Sequence, residues 1–136
     1  MCNNSLIYMI NTGSSTVLAG GIVPLTTIAR RRGRLLQSTG DSITLNAPGY
    51  YRVSATVTFT APVAGNISLA IQKNGVTVPG LTGASTITTA TTEIEQITIN
   101  GIVRVTCSDG ASVLTLVNTG LAITTSNVSF DVEYLD

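Results

Sequence analysis

The sequence predicts an all-β protein in which two antiparallel sheets pack as a sandwich or jelly roll. About eight to ten short apolar runs are separated by turn signals rich in Gly, Pro, Asn and Asp. No stretch shows the 3.6-residue period of a helix, and residues 51–59 alternate strictly between apolar and polar side chains. This combination is typical of a two-sheet β fold.

The clearest strand follows the Pro48-Gly49 turn signal. Pro fixes φ and Gly tolerates positive φ, so the pair favours a turn directly before the strand. The even positions carry Tyr50, Arg52 and hydroxyl residues, and the odd positions are all apolar: Tyr51, Val53, Ala55, Val57 and Phe59. One face of this strand is therefore predicted to line the core.

In the first third of the chain, residues 6–10 are apolar on both alternating faces. That pattern predicts a strand that meets water on neither side, so its second face needs cover from outside a small domain. Residues 17–25 are predicted to form a short irregular strand with a bulge or bend at Gly20-Gly21, and Gly33 is predicted to break the run of arginines.

The middle of the chain contains the strongest hairpin signal. Asn74-Gly75 predicts a type I′ turn between a strand at residues 67–72 and a return strand at 76–78. Pro79-Gly80 is expected to end that return strand, and residues 81–92 are predicted to be a Thr-rich surface loop that leads into the next strand.

Three further strands are predicted in the last third of the chain. Residues 93–107 are strand-like, with an expected interruption at Asn100-Gly101. A turn at Asp109-Gly110 precedes a strand at residues 113–118, and residues 128–135 alternate as the closing strand.

Composition fits one domain spanning residues 1–136, long enough for its own core. Charged residues make up 10% of the chain, against about 25% in typical domains. Seven basic and seven acidic residues cancel, which argues against binding to nucleic acid or to an acidic membrane. So few charges favour an inert extracellular protein or one that is locked into an assembly.

The chain has no histidine, which excludes Ser-His-Asp and Cys-His catalysis and the zinc sites that need imidazole. Glu93 and Glu95 share one face of the predicted strand and are interpreted as its solvent side. Asp41 and Asp109 are isolated turn carboxylates, too few to hold calcium. We therefore expect no catalytic residue, no metal site and no cofactor, and predict that the protein is not an enzyme.

Cys2 and Cys107 are too few for a disulfide framework and are predicted to be free thiols. Cys107 continues the apolar positions Val103 and Val105, which favours a buried thiol. Residues 1–10 do not form a signal peptide, and no apolar run approaches the roughly 20 residues of a membrane span. We expect synthesis in a cytosol and no membrane partner.

One stretch concentrates positive charge: Arg30, Arg31, Arg32 and Arg34. Its simplest interpretation is a solvated loop. The alternative is a docking patch for an acidic partner or for a neighbouring subunit.

The segment Gly49-Tyr50-Tyr51-Arg52-Val53-Ser54 resembles the central strand of the jelly rolls of tumour necrosis factor and the complement globular heads. Residues 71–80 resemble the hairpin of bacterial spore-surface and bacteriophage members of that family. Residues 16–25, 109–118 and 128–135 also resemble family segments in the family's order. The resemblance spans essentially the whole chain and implies a trimeric, TNF-like jelly roll, with the first strand near the threefold contacts.

If the family topology holds, the closing strand lies beside the central strand. We therefore hypothesise that Arg52 pairs with Asp131 or Glu133 across these strands, within or beside the subunit contacts. The expected subunit interface comprises Tyr8, Tyr50, Arg52, Ser54, Ser129, Asp131 and Glu133.

The resemblance to microbial members favours a non-enzymatic structural protein of a virion surface. Such a bacteriophage head fibre, decoration or cement protein would be made in the host cytoplasm and would bind capsid or other virion structural proteins as a homotrimer. The alternative is a trimeric adhesin or glycan-binding head on a spore coat or phage tail, with residues 81–92 as its contact. Aromatic residues are only 4% of the chain, and sugar platforms usually need exposed rings.

Overall fold

The computed structural model describes residues 5–135 and contains eleven β-strands and no helix in that range. The strands are β1 Leu6–Asn11, β2 Ser15–Val17, β3 Thr27–Arg32, β4 Leu36–Thr39, β5 Ser42–Leu45, β6 Gly49–Thr60, β7 Gly65–Lys73, β8 Val76–Ile87, β9 Glu95–Val105, β10 Ser112–Asn118 and β11 Ile123–Leu135.

The strands form two antiparallel sheets. The first sheet has the order β3-β1-β11-β6-β9, with β2 also paired to β11, and the second has the order β4-β5-β10-β7-β8. Neighbours in each sheet are often distant in sequence, as expected for a jelly roll rather than a meander. The predicted all-β, two-sheet architecture is confirmed.

The core lies between the sheets and follows the period-two alternation. The odd positions of β6, from Tyr51 to Phe59, are each no more than 2% exposed. β11 contributes Val128, Phe130 and Val132 from the same sheet, and all three are fully buried. Because β11 and β6 pair along almost their whole length, these two strands present one continuous apolar surface to the second sheet.

The β7–β8 hairpin confirms one prediction and corrects another. Asn74 and Gly75 have φ values of 53° and 84°, as the type I′ turn requires. The return strand does not end at Pro79-Gly80, however, and residues 81–87 are strand rather than loop. Residues 78–81 bulge opposite Ile71, and a bulge accommodates both a proline and the positive φ of Gly80 without ending the strand.

The expected interruption at Asn100-Gly101 is also wrong. β9 runs unbroken from Glu95 to Val105 and pairs with β6 throughout. A Cβ atom at position 101 would overlap the Cδ2 atom of Leu81, which lies in the second sheet. Gly101 therefore marks a close approach of the two sheets rather than a turn.

The arginine run is largely strand rather than loop, because β3 pairs with β1 as far as Arg32 and only then turns at Gly33 (φ 79°).

Of the two predicted free thiols, Cys2 lies outside the described residues, and Cys107 is exposed rather than buried. The alternation of β9 stops at Val105, and residues 106–109 form a turn closed by the Asp109 N–H, which donates to the Thr106 carbonyl at 3.1 Å.

The segment after β2 leaves the first sheet, runs along β10 of the second sheet and returns to the first sheet at β3. The Gly20 N–H donates to the Asn118 carbonyl at 2.7 Å, and the Val23 N–H donates to the Leu116 carbonyl at 2.8 Å. The strand predicted over residues 17–25 is therefore wrong, because β2 ends at Val17 and the rest is mostly a loop held along β10. No helix in residues 5–135 is long and apolar enough to cross a membrane.

Candidate subunit interface

The outer face of the first sheet, the side turned away from the second sheet, displays two rows of side chains. Each row crosses all five main strands, in the order β3, β1, β11, β6 and β9. The first row is Arg32, Leu6, Glu133, Arg52 and Ile102, and the second is Arg30, Tyr8, Asp131, Ser54 and Asn100.

This face exposes large apolar side chains in the single chain. Tyr8, Tyr50 and Ile102 are 37%, 50% and 56% exposed, and Leu6 and Ile10 are half-buried. The two-sided apolar pattern of β1 now has a structural meaning. Its odd positions enter the core, and its even positions lie on the outer face.

An open groove of about 590 Å³ crosses this face. Of the seven residues predicted for the subunit interface, five line it: Tyr8, Arg52, Ser129, Asp131 and Glu133. The other two, Tyr50 and Ser54, lie on the same face of β6. The fold therefore brings all seven predicted residues onto one surface.

The structure places Arg52 on the strand beside the acidic residues of β11, as predicted, but Arg52 forms no ion pair with them. Arg52 lies directly opposite Glu133, and Ser54 lies opposite Asp131. Yet the one salt bridge within residues 5–135 joins Lys73 Nζ to Asp109 Oδ2 at 3.1 Å. Arg52 thus forms no ion pair with Asp131 or Glu133 inside a single chain.

Asp131 is a partly desolvated carboxylate of the groove. Its side chain is exposed, but the groove walls remove part of its water, and this desolvation raises the pKa of Asp131 above its ordinary value. The negative charge of Glu133 raises this pKa further. The groove therefore contains a carboxylate that would be stabilised by a cation from outside the chain.

On the β9 side of this face, most of the polar side chains already have partners within the chain. The Ser54 hydroxyl donates to Asn100 Oδ1 at 2.6 Å, and Gln96 Nε2 donates to the Thr58 hydroxyl at 3.1 Å. The Arg104 guanidinium lies 5.7 Å from the centre of the Tyr50 ring, within the range of a cation–π contact. Sequence reasoning missed Asn100, Ile102 and Arg104, although their alternation was visible, because an interruption was assumed there.

The fold divides the predicted docking arginines between different surfaces. Arg30 and Arg32 lie opposite Tyr8 and Leu6 and so share the outer face with them. Arg31 lies opposite the buried Ile7, on the other side of β3. Arg34 follows in the bend after the strand, and all four side chains are exposed.

Glu93 lies in the β8–β9 loop, before the strand that begins at Glu95, so the two carboxylates do not share a strand face as predicted. One Glu93 carboxylate oxygen accepts hydrogen bonds from the Thr88 N–H, the Thr88 hydroxyl and the Thr89 N–H. These bonds, with one from Glu95, lower the pKa of Glu93 to about 2, and the same contact raises the pKa of Glu95. Within residues 5–135, no three Cys, Asp or Glu side chains converge as metal ligands.

No family model and no curated protein sequence matches this chain. Solved structures do match it over nearly its whole length. Murine APRIL at pH 5.0 has a TM-score of 0.76 and 13% identity over 97% of this chain and 99% of that one. The globular domain of zebrafish complement 1qA has a TM-score of 0.72 and 8% identity over 97% and 98%.

The vertex protein P5 of the phage PRD1 has a TM-score of 0.61 and 16% identity, and the match covers 97% of each chain. These likenesses confirm the jelly-roll fold seen in tumour necrosis factor-like proteins and complement heads, with a phage protein among those that share it. At such low identity they establish the fold alone.

Proposed function

We propose that this protein is a non-enzymatic structural protein of a virion surface that assembles as a homotrimer. A head fibre, decoration or cement protein is the role that fits best. The observation that carries the proposal is the outer face of the first sheet, where Tyr8, Tyr50 and Ile102 are exposed on the same face as two carboxylates, Asp131 and Glu133, that have no ion pair in residues 5–135.

An open sheet face of this kind favours self-association. Antiparallel sheets that meet water usually carry polar side chains on the wet side, so several large apolar side chains exposed on one sheet face favour an interaction surface. In a chain with only 10% charged residues, little charge repulsion opposes the approach of a second copy. We assign Tyr8, Tyr50, Arg52, Ser54, Ser129, Asp131 and Glu133 to the contacts between subunits.

The virion location draws its support from the PRD1 vertex protein, which shares the fold over 97% of both chains. On this proposal the chain is made in the host cytoplasm and binds capsid or other virion structural proteins. The exposed arginines that lie off the outer face, Arg31 and Arg34, are the candidates for that second contact. The glycan-binding alternative gains no support, because the loop assigned to it is strand as far as Ile87.

The trimer is tested by the mass of the protein in solution. Light scattering at micromolar concentration is expected to give three times the 14.1 kDa of one chain. Tyr8→Lys should shift the mass toward one chain, because it places a charge in the apolar part of the contact. Val76→Lys is the matched control, since Val76 is 70% exposed at the β7–β8 hairpin, off the proposed interface.

A stable wild-type species with the mass of one chain would overturn the trimer. The virion location is tested separately by mass spectrometry of cell-free particles purified from the source organism. The protein should co-purify with assembled particles through a density gradient, and its absence from them would overturn the virion role.

A further inference from the structure

We infer that Arg30 and Arg32 at the sheet edge of one copy dock against Asp131 and Glu133 on the outer face of the next copy. This inference rests on the proposed homotrimer and specifies its ionic contact. The β3 edge of a second chain is the proposed occupant of the groove.

Strand β3 forms one edge of the first sheet, because within residues 5–135 it pairs only with β1. Arg30 and Arg32 project to the outer face with Tyr8 and Leu6, and Arg30 lines the groove. The edge of each chain thus presents two adjacent cations on the side where the acidic residues lie.

Asp131 and Glu133, the acidic column of β11, have no cation partner within residues 5–135. Asp131 lies between Tyr8 and Ser54, and Glu133 lies between Leu6 and Arg52. Strands are about 4.8 Å apart, so β1 separates the acidic column from the arginine edge by roughly 10 Å of sheet. Arg30 Nη1 donates instead to the Ala29 carbonyl at 2.9 Å. The desolvated Asp131 carboxylate is therefore an acceptor that only a second chain can pair without rearrangement.

A contact between an edge and a face joins two different patches, and such heterologous contacts generate closed rings when the rotation allows closure. A twofold contact centred on β11 would instead place Asp131 and Glu133 against the same acidic residues of the second copy. Charge complementarity thus favours the edge-to-face contact and a ring over a twofold dimer centred on β11.

Charge reversal on the two sides of the contact tests the inference. The double variant Arg30→Glu/Arg32→Glu should raise the concentration for half-dissociation at least about tenfold, because like charges then face each other. Asp131→Lys/Glu133→Lys should do the same. Combining all four substitutions in one chain should restore assembly. Arg31→Glu, on the opposite side of β3, is the control for the single variants Arg30→Glu and Arg32→Glu, because each of the three changes the charge equally.

The outcomes separate the two ideas. If wild type is trimeric and the reversed arginine pair leaves the dissociation midpoint unchanged, the docking inference is wrong and the trimer stands. If wild type has the mass of one chain, the proposed function itself fails. Reversal of Arg31 that matches reversal of Arg30 and Arg32 would also overturn the inference, since a general charge effect would then explain the loss.

A second measurement covers variants that fold poorly. In a background where Cys2 and Cys107 are replaced by Ser, one chain carries Arg30→Cys and another carries Asp131→Cys. Mixing and oxidising them should give a disulfide-linked pair of the two chains. Arg31→Cys with Asp131→Cys should give none, and equal cross-linking of both mixtures would contradict the assigned contact.

Discussion

Tyr134 lies edge-on against Tyr51, with ring centroids 5.2 Å apart and ring planes inclined by 62°. Both hydroxyls reach the turn before β6. Tyr51 donates to the Ala47 carbonyl at 2.5 Å, and Tyr134 donates to the Pro48 carbonyl at 3.3 Å. The two rings therefore fix the start of the central strand from β6 itself and from β11.

Gly49→Ala should destabilise the fold by about 1–3 kcal/mol, the range for strained backbone. Gly49 has a φ of 139°, and a Cβ atom there would lie 2.7 Å from Cε1 of Tyr134. Urea unfolding followed by circular dichroism measures the loss. Gly13→Ala is the control, because its Cβ would meet nothing nearer than Asn11 Oδ1 at 3.5 Å, and equal midpoints for the two variants would contradict this account.

This region shows how far local sequence signals reach. The alternation from Tyr51 to Phe59 and the Pro48-Gly49 turn were predicted correctly, because both depend on neighbours along the chain. The need for glycine at position 49 arises instead from Tyr134, at the far end of the sequence. No local pattern encodes that contact, so only the folded chain reveals it.

Gly101→Ala should destabilise the protein by about 1–3 kcal/mol, the usual cost of overpacking a core. The added methyl group would overlap the buried side chain of Leu81. Leu81→Ala alone should cost about 2–5 kcal/mol through the cavity it leaves. The double variant should lose less than the sum of the two, because each change relieves the other. Strict additivity in denaturant unfolding would show that the two residues are not in contact.

The errors at β8 and β9 share one physical cause. Pro79-Gly80 and Asn100-Gly101 both look like turns in isolation, since glycine is the usual residue where a chain reverses. In the fold, Gly80 serves a bulge and Gly101 serves a close approach between sheets. Sequence alone cannot separate these uses, because each depends on a strand from elsewhere in the chain.

Asp109→Asn should lower the melting temperature at neutral pH, and the difference should shrink as the pH falls toward about 2. The Thr106 N–H donates to Asp109 at 2.8 Å and Lys73 Nζ lies 3.1 Å away. The hydrogen bond from Thr106, and after it the contact with Lys73, lowers the pKa of Asp109 from 3.8 to about 2. A folded-state pKa below the unfolded value means that the carboxylate stabilises the fold above about pH 4, and that this contribution is lost through the interval down to about pH 2.

Lys73→Gln separates the two partners of Asp109. It removes the cation and leaves the bond from the Thr106 N–H, so it should lower the melting temperature less than Asp109→Asn does. A larger effect of the lysine substitution would show that the ion pair, rather than the turn, carries the stabilisation.

The candidate interface was predictable in part, for reasons of register. The pairing of β6 with β11 followed from the family resemblance, and it placed Arg52 opposite Glu133 as expected. The division of the arginines between two faces did not follow, because it depends on β3 pairing with β1, and three successive arginines at 30–32 show no alternation. Asn100, Ile102 and Arg104 were missed once β9 was assumed to break.

Asp131→Asn should have opposite effects on the single chain and on the assembly. Desolvation, followed by repulsion from Glu133, raises the pKa of Asp131 in the folded chain. A raised carboxyl pKa opposes folding above that pKa and ceases to do so as the pH falls below the unfolded value. The neutral amide should therefore raise the unfolding midpoint of dilute, dissociated protein at neutral pH, with no gain in acid.

If Arg30 or Arg32 of a neighbour pairs with this carboxylate, the same Asp131→Asn change should weaken assembly, measured by sedimentation at low salt. Arg52 in the same chain faces Glu133 rather than Asp131, so Glu133→Gln is the comparison that reports the in-chain charge. If Asp131→Asn raised the unfolding midpoint and also strengthened assembly, an ionic contact at this residue would be contradicted.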